Sequence, residues 1–206
     1  MEENNLYEKI EKAFTIDEKI SNIIFQYLNT FIEKIKEKHQ NIEKTLRVLI
    51  IGSNLPVKIP VEPQYTPAKT LKQIKTKLKE KFGEKIFTCS LEDFKELKFL
   101  EQDYVIKLYV LSIFAHKIFI IFEAEEKLET GELIPVNPDP LLAYAYLIPL
   151  NLAQKITILK RKNIKLPQII EKTPIIKDIL KIKEKEYKNI KELTNYIAKE
   201  TKILTF

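Results

Sequence analysis

The sequence has one cysteine, three glycines and two arginines among 206 residues. The single cysteine, Cys89, excludes a disulfide within the chain. No apolar run reaches the ~18 residues that a membrane-spanning helix needs, and the longest candidate, 108–122, is interrupted by His116 and Lys117. The first five residues are acidic and polar, unlike a secretory signal. We therefore expect a cytoplasmic protein with no membrane partner.

The scarcity of arginine and glycine accompanies a composition dominated by lysine, glutamate and isoleucine. High lysine and glutamate content is typical of thermophile proteins, and an AT-rich genome produces the same bias. Either cause makes the lysine excess weak evidence for a nucleic-acid partner. The hydrophobic content of 45% is sufficient for a sizeable core and argues against intrinsic disorder.

Charge is unevenly distributed along the chain. Residues 89–139 carry 5 lysines against 11 acidic residues, a net charge of −6. Residues 140–206 carry 14 basic against 6 acidic residues, a net charge of +8. The protein therefore has an acidic middle and a basic end, and the basic end is the part that could contact nucleic acid.

Residues 1–44 are predicted to form a helical arm. Leu6, Ile10 and Ala13 have helical spacing, and Thr15 with Glu18 matches the capping box that begins a second helix. That helix is predicted to run to about His39 with an amphipathic pattern that requires a partner surface. Its apolar stripe either packs on the main domain or forms a homodimer contact through residues 16–38.

Residues 45–206 alternate between strand and helix patterns, which is typical of a parallel sheet covered on both faces. We therefore predict a doubly wound α/β domain of the flavodoxin or Rossmann kind. Its mainly parallel sheet has five strands, at 46–51, 85–88, 117–122, 155–159 and 179–183. Helices are predicted at 68–82, 103–115, 141–153 and 190–199, the last with Asn189 as its cap, and a proline-rich loop and an acidic loop are predicted at 55–67 and 123–140.

Ligands of such sheets bind beyond the carboxyl ends of the strands, near the switch in strand order. The first strand ends at Gly52, Ser53 and Asn54, which either contact a ligand or form a plain turn. Ser90 follows the second strand and Glu123 follows the third. These five residues are the predicted ligand contacts at the carboxyl edge, together with Glu129 farther along the acidic loop.

The acidic loop carries five glutamates after the third strand, at 123, 125, 126, 129 and 132. Paired carboxylates serve acid–base chemistry or stabilise an oxocarbenium-like centre. Such carboxylates also bind Mg²⁺. Alternatively, the segment is a solvated acidic loop with no chemical role.

No His/Cys cluster that could bind zinc is present in the sequence. We assign structural roles to Cys89 and His116.

Four segments resemble those of the nucleoside 2-deoxyribosyltransferase-like and TIR-like domains. They are VLIIGSN (48–54), KIFTCSLEDF (85–94), KIFIIFEAEEKLETGEL (117–133), and the ending formed by KITIL (155–159) with DILKIKEKEYKNIKELTNYIAK (178–199). The resemblance covers residues 46–199. It implies that Glu132 acts in cleaving or transferring an N-glycosidic bond of a nucleoside or NAD, with Gly52 and Ser53 near the sugar or phosphate.

The sequence thus predicts a nucleotide- or nucleoside-binding domain with N-glycosidase or deoxyribosyltransferase chemistry. The alternative is a non-catalytic interaction protein that dimerises through its N-terminal helices and contacts nucleic acid weakly through its basic C-terminal region. No cofactor is assigned.

Overall fold

A computed structural model describes residues 18–52, 67–91, 93, 104–123, 125–127, 133–135, 143–144, 147, 152–162, 164–166, 170 and 182–202. The described helices are α1 (Glu18–Lys38), α2 (Pro67–Phe82), α3 (Tyr104–Phe114) and α4 (Ile190–Lys202). The described strands are β1 (Leu46–Ile51), β2 (Ile86–Cys89), β3 (Lys117–Phe122), β4 (Glu125–Lys127), β5 (Leu133–Pro135), β6 (Ile156–Arg161) and β7 (Lys183–Tyr187).

Five strands form an all-parallel sheet in the order β2-β1-β3-β6-β7. Counting only these strands, the order is 2-1-3-4-5, which is the flavodoxin-like doubly wound arrangement. The predicted α/β fold is therefore confirmed. Because the chain moves outward from β1 to β2 and then returns to β3 on the other side, the switch in strand order lies between β1 and β3.

The two faces of the sheet bury separate hydrophobic cores because side chains alternate along each strand. On β1, Leu49 and Ile51 face a first core that includes residues of α1 and α3. Val48 and Ile50 face a second core that includes residues of α2 and α4. The continuous apolar runs of β1 and β3 thus cover both faces, as expected for buried parallel strands.

Four residues of the apolar stripe of α1 are buried within the chain, whereas Ile23 of the same helix is exposed. Ile24, Leu28, Phe31 and Ile35 are at most 5% exposed and belong to the first core. The Phe31 ring contacts the Phe114 ring of α3 edge-to-face, with 5.0 Å between centroids. The described part of the N-terminal arm therefore packs on the α/β domain, and a dimer contact through α1 would have to use its other face.

Local sequence signals fix the ends of two helices, and Asn189 is the cap that the sequence predicted. Pro67 begins α2, and Gly83 follows its last residue with a φ of 58°, a left-handed conformation that glycine adopts without steric cost. Asn189 caps α4, because its Oδ1 accepts a hydrogen bond from the Glu192 backbone N–H at 2.9 Å. The Glu192 carboxylate accepts in turn from the Lys188 N–H, which stabilises the helix start.

Two predictions about the strands are wrong. The fifth strand is β7 (Lys183–Tyr187), four residues later than the predicted 179–183. Its first four residues are exposed and charged at the sheet edge, so it lacks the apolar run that we used as the signal. Part of the predicted acidic loop forms an antiparallel pair instead, β4 with β5.

Several predicted elements lie outside the described residues, wholly or in part. These are the helix around 6–13, the Thr15 cap, the proline-rich loop up to 66, and most of the helix predicted at 141–153. Within that last segment, the described residues Ala143, Tyr144 and Leu147 are helical and buried.

A buried lysine lies at the amino end of β3. Lys117 is 7% exposed, and burial lowers the pKa of its ammonium group, as does the nearby Lys183, while Glu200 opposes the shift. A lowered pKa in the folded state means that the protonated side chain destabilises the fold. This cost is fully present below the folded-state pKa and disappears as the pH rises from there through the ordinary value of 10.5, because over that interval the unfolded chain binds more protons.

We expect Lys117→Met to raise the free energy of unfolding at pH 7 by about 1–2 kcal/mol, since methionine keeps the apolar contacts of the stem without the buried charge. The gain should shrink as the pH rises above the lowered folded-state pKa of Lys117 toward the ordinary value of 10.5. Urea unfolding of the wild type and the variant from pH 7 to pH 10 measures this, because tyrosine titration is common to both proteins and cancels in the difference between them. The control is Lys185→Met, which makes the same change at an exposed lysine and should leave the free energy of unfolding nearly unchanged. A lower free energy of unfolding in Lys117→Met than in the wild type would contradict the expectation.

Candidate functional site at the carboxyl edge of the sheet

The carboxyl ends of β1 and β3 bring two of the predicted residues to the same edge. Gly52 directly follows β1, and Glu123 directly follows β3. A Cβ placed on Gly52 would meet the Cβ of Ile121 at 3.6 Å, an ordinary contact, so Gly52 lies on the same face as Ile121. Because side chains alternate along β3, Glu123 lies on that face as well. Both residues therefore flank the switch point.

Glu123 is a buried carboxylate. It is 6% exposed, and the hydroxyl of Tyr187 donates to its Oε1 at 3.4 Å. Tyr187 is the last residue of β7 and is 2% exposed. A buried carboxylate is costly unless hydrogen bonds compensate its charge. The phenol supplies one such bond and fixes the orientation of the carboxylate.

Arg161 lies between Glu123 and Tyr187 in the sheet. Arg161 is the last residue of β6, and its register partner on β7 is Tyr187. On the other side, Lys160 is the register partner of Phe122 on β3, so Arg161 is level with Glu123, the residue after Phe122. Arg161 is half-buried and is one of the two arginines of the chain. The edge thus combines an acceptor carboxylate, a phenol and a guanidinium, the last of which suits bidentate recognition of phosphate.

Ser90 is set back from this group. It follows β2, which ends level with Leu49, three residues before Gly52. Its backbone N–H and hydroxyl both donate to Asp93 Oδ2, at 2.7 and 3.0 Å, while Lys75 Nζ donates to its Oγ at 3.0 Å and also forms an ion pair with Asp93. With the side chain fully buried, the hydroxyl serves a local turn and the docking of α2.

The remaining predicted site residues lie outside the described residues. These are Ser53 and Asn54 after β1, and Glu129 and Glu132 between β4 and β5 in the sequence. The structure therefore brings together Gly52 and Glu123 and sets Ser90 apart. Among the described residues, no group of three or more His, Cys, Asp or Glu side chains could hold a metal ion.

Sequence reasoning did not select Tyr187 or Arg161. Arg161 had a usable signal, since it closely follows the predicted strand at 155–159. Tyr187 had none, because the last strand was predicted four residues too early and Tyr187 was assigned to the segment after it.

Cys89 is inert in this fold. It is fully buried, and burial, with a smaller contribution from Asp93, raises the pKa of its thiol to about 12. The thiolate is the nucleophilic form of cysteine. The thiol donates to the Val48 carbonyl at 3.6 Å, whereas His116 bonds Arg47 through its Nδ1. The structural roles predicted for both residues agree with these contacts.

Comparison of the chain with protein-family models, curated proteins and solved structures finds no match. None of the helices in the described ranges combines the length and the apolar character required to cross a bilayer.

Proposed function

We propose that this chain is a nucleotide- or nucleoside-binding domain whose ligand binds at the carboxyl edge beside the switch between β1 and β3. The observation that carries the proposal is the buried Glu123 carboxylate, oriented by the Tyr187 hydroxyl at 3.4 Å. An ionised carboxylate only accepts hydrogen bonds and has about four lone-pair sites. It therefore suits the hydroxyl groups of a ribose or a deoxyribose.

Two neighbouring residues extend this arrangement to the rest of a nucleotide. Gly52 has no side chain to prevent a sugar or phosphate from approaching the backbone at the end of β1. Arg161 places a permanent positive charge on the same edge, which suits a phosphate. Together these residues provide contacts for a sugar and an anion, as a nucleotide requires.

The chemistry proposed for the bound ligand is cleavage or transfer of its N-glycosidic bond. Here the proposal uses the resemblance to deoxyribosyltransferase-like and TIR-like domains, in which Glu132 would be the catalytic carboxylate. A carboxylate next to the anomeric carbon stabilises the positive charge that develops as the base leaves. Glu129 would contact the ligand from the same segment.

Binding is tested with NAD, deoxyadenosine, deoxycytidine and AMP, by calorimetry and by the shift in melting temperature. A ligand at ~100 times its Kd stabilises the folded state by about 2.7 kcal/mol. We expect Glu123→Gln to weaken binding roughly tenfold or more, because hydrogen bonds to a charged group contribute about 1.5–3 kcal/mol. Glu186→Gln, at an exposed carboxylate of β7, is the matched control and should bind like the wild type.

Two more variants separate binding from catalysis. Gly52→Ala is accommodated by the packing, so weaker binding by this variant would report close approach of the ligand to the backbone. Glu132→Gln should abolish release of the free base, followed by liquid chromatography, while binding is retained. If none of the four compounds is bound or turned over by the wild type, the proposal is wrong.

The interaction-protein alternative has no comparable support among the described residues. Four residues of the α1 stripe proposed for the dimer, Ile24, Leu28, Phe31 and Ile35, are buried in the first core, whereas Ile23 is exposed. Two of the lysines in the basic C-terminal region form ion pairs within the chain, Lys160 with Glu186 and Lys183 with Glu200. The dimer and the nucleic-acid contact stay predictions.

A further inference from the structure

A groove runs along the outer side of β2. It has a volume of about 600 Å³ and lies between the end of α1, one side of α2 and residues 86–88 of β2. Lys38 and His39 line it from α1 and the residues after it, and Lys75 and Lys79 line it from α2. Of the described carboxyl-edge residues, Gly52, Glu123, Arg161 and Tyr187 do not line the groove, so the groove is distinct from that part of the proposed nucleotide site.

The strand that lines the groove is at the edge of the sheet formed by the described strands. β2 is the terminal strand, paired with β1 on one side, and no strand in the described ranges pairs with its other side. Alternate residues of such a strand direct their backbone N–H and C=O groups outward. An exposed edge of this kind is a template on which an extended peptide adds a further strand.

The opposite edge of the sheet carries charged side chains that oppose such pairing, whereas β2 carries none. β7 begins with the alternating charges Lys-Glu-Lys-Glu at 183–186, all exposed, a common device that blocks edge-to-edge association. β2 reads Ile-Phe-Thr-Cys and carries no charge. Its four residues, at ~3.3 Å each, offer an edge of ~13 Å.

The walls of the groove indicate the charge of the peptide. The described lining contains three lysines, Lys38, Lys75 and Lys79, and one acidic residue, Glu84. Lys75 is already paired with Asp93, while Lys79 is exposed. The half-buried Phe87 ring, packed on His39 at 5.1 Å between centroids, adds an apolar surface. Complementarity of charge therefore favours an acidic partner with apolar side chains at alternate positions.

We propose that this groove binds an extended acidic peptide segment of a partner protein, which adds a parallel or antiparallel strand to the outer edge of β2. The open row of backbone groups favours a peptide over a nucleic acid, because a second strand satisfies donors and acceptors at the strand spacing. The aromatic and lysine side chains then select the sequence of that strand.

The test measures the binding of fluorescein-labelled octapeptides to the full chain by fluorescence anisotropy. The probe alternates glutamate with valine; one comparison peptide alternates lysine with valine, and another has the probe sequence with N-methyl groups on alternate backbone amides. We expect the probe to bind, the lysine peptide not to bind, and the N-methylated peptide to bind at least ~10-fold more weakly because it cannot complete the strand ladder.

Two variants of α2 locate the site. Lys79→Glu should weaken binding of the probe roughly tenfold by charge reversal within the groove. Lys77→Glu makes the same change at an exposed residue that does not line the groove, and its affinity should stay within about twofold of the wild type. Circular dichroism melting confirms that both variants are folded, and amide exchange at 86–88 should slow when the probe binds.

Three results would overturn the proposal. The first is the absence of probe binding at millimolar concentration, and the second is equal binding of the N-methylated peptide, which would leave charge alone as the cause. The third is displacement of the probe by sodium tripolyphosphate or a single-stranded oligonucleotide that itself binds more tightly, which would make the groove an anion or nucleic-acid site. None of these results bears on nucleotide binding at the carboxyl edge.

Discussion

Replacing Phe31 with alanine is expected to lower the free energy of unfolding by about 3–5 kcal/mol, the usual cost of removing a fully buried phenylalanine. Phe31 is 0% exposed in the first core and contacts Phe114 of α3. The loss combines the transfer of the ring out of the core with the cavity it leaves. Of the changes considered, this one is expected to destabilise the protein most.

The measurement is urea unfolding followed by circular dichroism, with the m-value as a check on two-state behaviour. Ile23→Ala is the matched control, because Ile23 lies on the same helix but is 42% exposed. Its effect should stay within about 0.5 kcal/mol, as for other surface substitutions. A Phe31→Ala variant as stable as the control would show that α1 is an independent arm, against the shared core.

Lys155→Met is expected to lower the free energy of unfolding by about 2–3 kcal/mol, within the range for hydrogen bonds to a charged group. Lys155 Nζ donates to the carbonyl oxygens of Ser112, Ile113 and Ala115 at 3.3, 3.3 and 2.8 Å. These groups lie at or just beyond the end of α3, where carbonyls lack helical partners and the helix dipole favours a cation. Methionine leaves them without this donor in a part-buried location.

The control for Lys155→Met is Lys162→Met. Lys155 directly precedes β6, and Lys162 is an exposed lysine that directly follows it. The Lys162→Met change should alter the free energy of unfolding by less than about 0.5 kcal/mol. Hydrogen exchange adds a local measurement, because loss of the cap should increase exchange at the end of α3 more than in β1. If both lysine variants unfold at the same urea concentration, the ammonium group does not cap α3.

The two central strands were predicted from sequence because of their burial. β1 and β3 are buried on both faces, so most of their positions require an apolar residue, and the sequence displays this as LRVLII and KIFIIF, in which Arg47 and Lys117 are the exceptions. Helix ends could also be predicted from sequence where they depend on local chemistry. Pro67, Gly83 and Asn189 act through backbone geometry or a side chain within a few residues.

The elements that were mispredicted depend on neighbours in space. β7 is a strand because β6 offers it a hydrogen-bonding edge, and its charged side chains point to solvent or to ion pairs. β4 and β5 are three residues each and exist as a pair. Short or exposed strands carry little hydrophobic pattern, so period-based interpretation misses them.

For the candidate site, the order of elements alone placed Gly52 and Glu123 at one edge, because the carboxyl ends of parallel strands meet there. The same rule placed Ser90 there, but the contacts with Asp93 and Lys75 occupy its hydroxyl. The contact between Tyr187 and Glu123 joins residues 64 positions apart. No local pattern encodes a contact of that separation.

The sequence by itself determined the doubly wound α/β class, the buried strands and the helix caps. The reason is that burial of a strand on both faces and the capping of a helix depend on residues that are close together in the sequence. The tertiary structure alone decided the 2-1-3-4-5 strand order, the docking of α1 into the first core, the pairing of Tyr187 with Glu123 and the position of β2 at the edge of the described sheet. Each of these depends on which distant segments become neighbours, and that follows from the packing of the whole sheet.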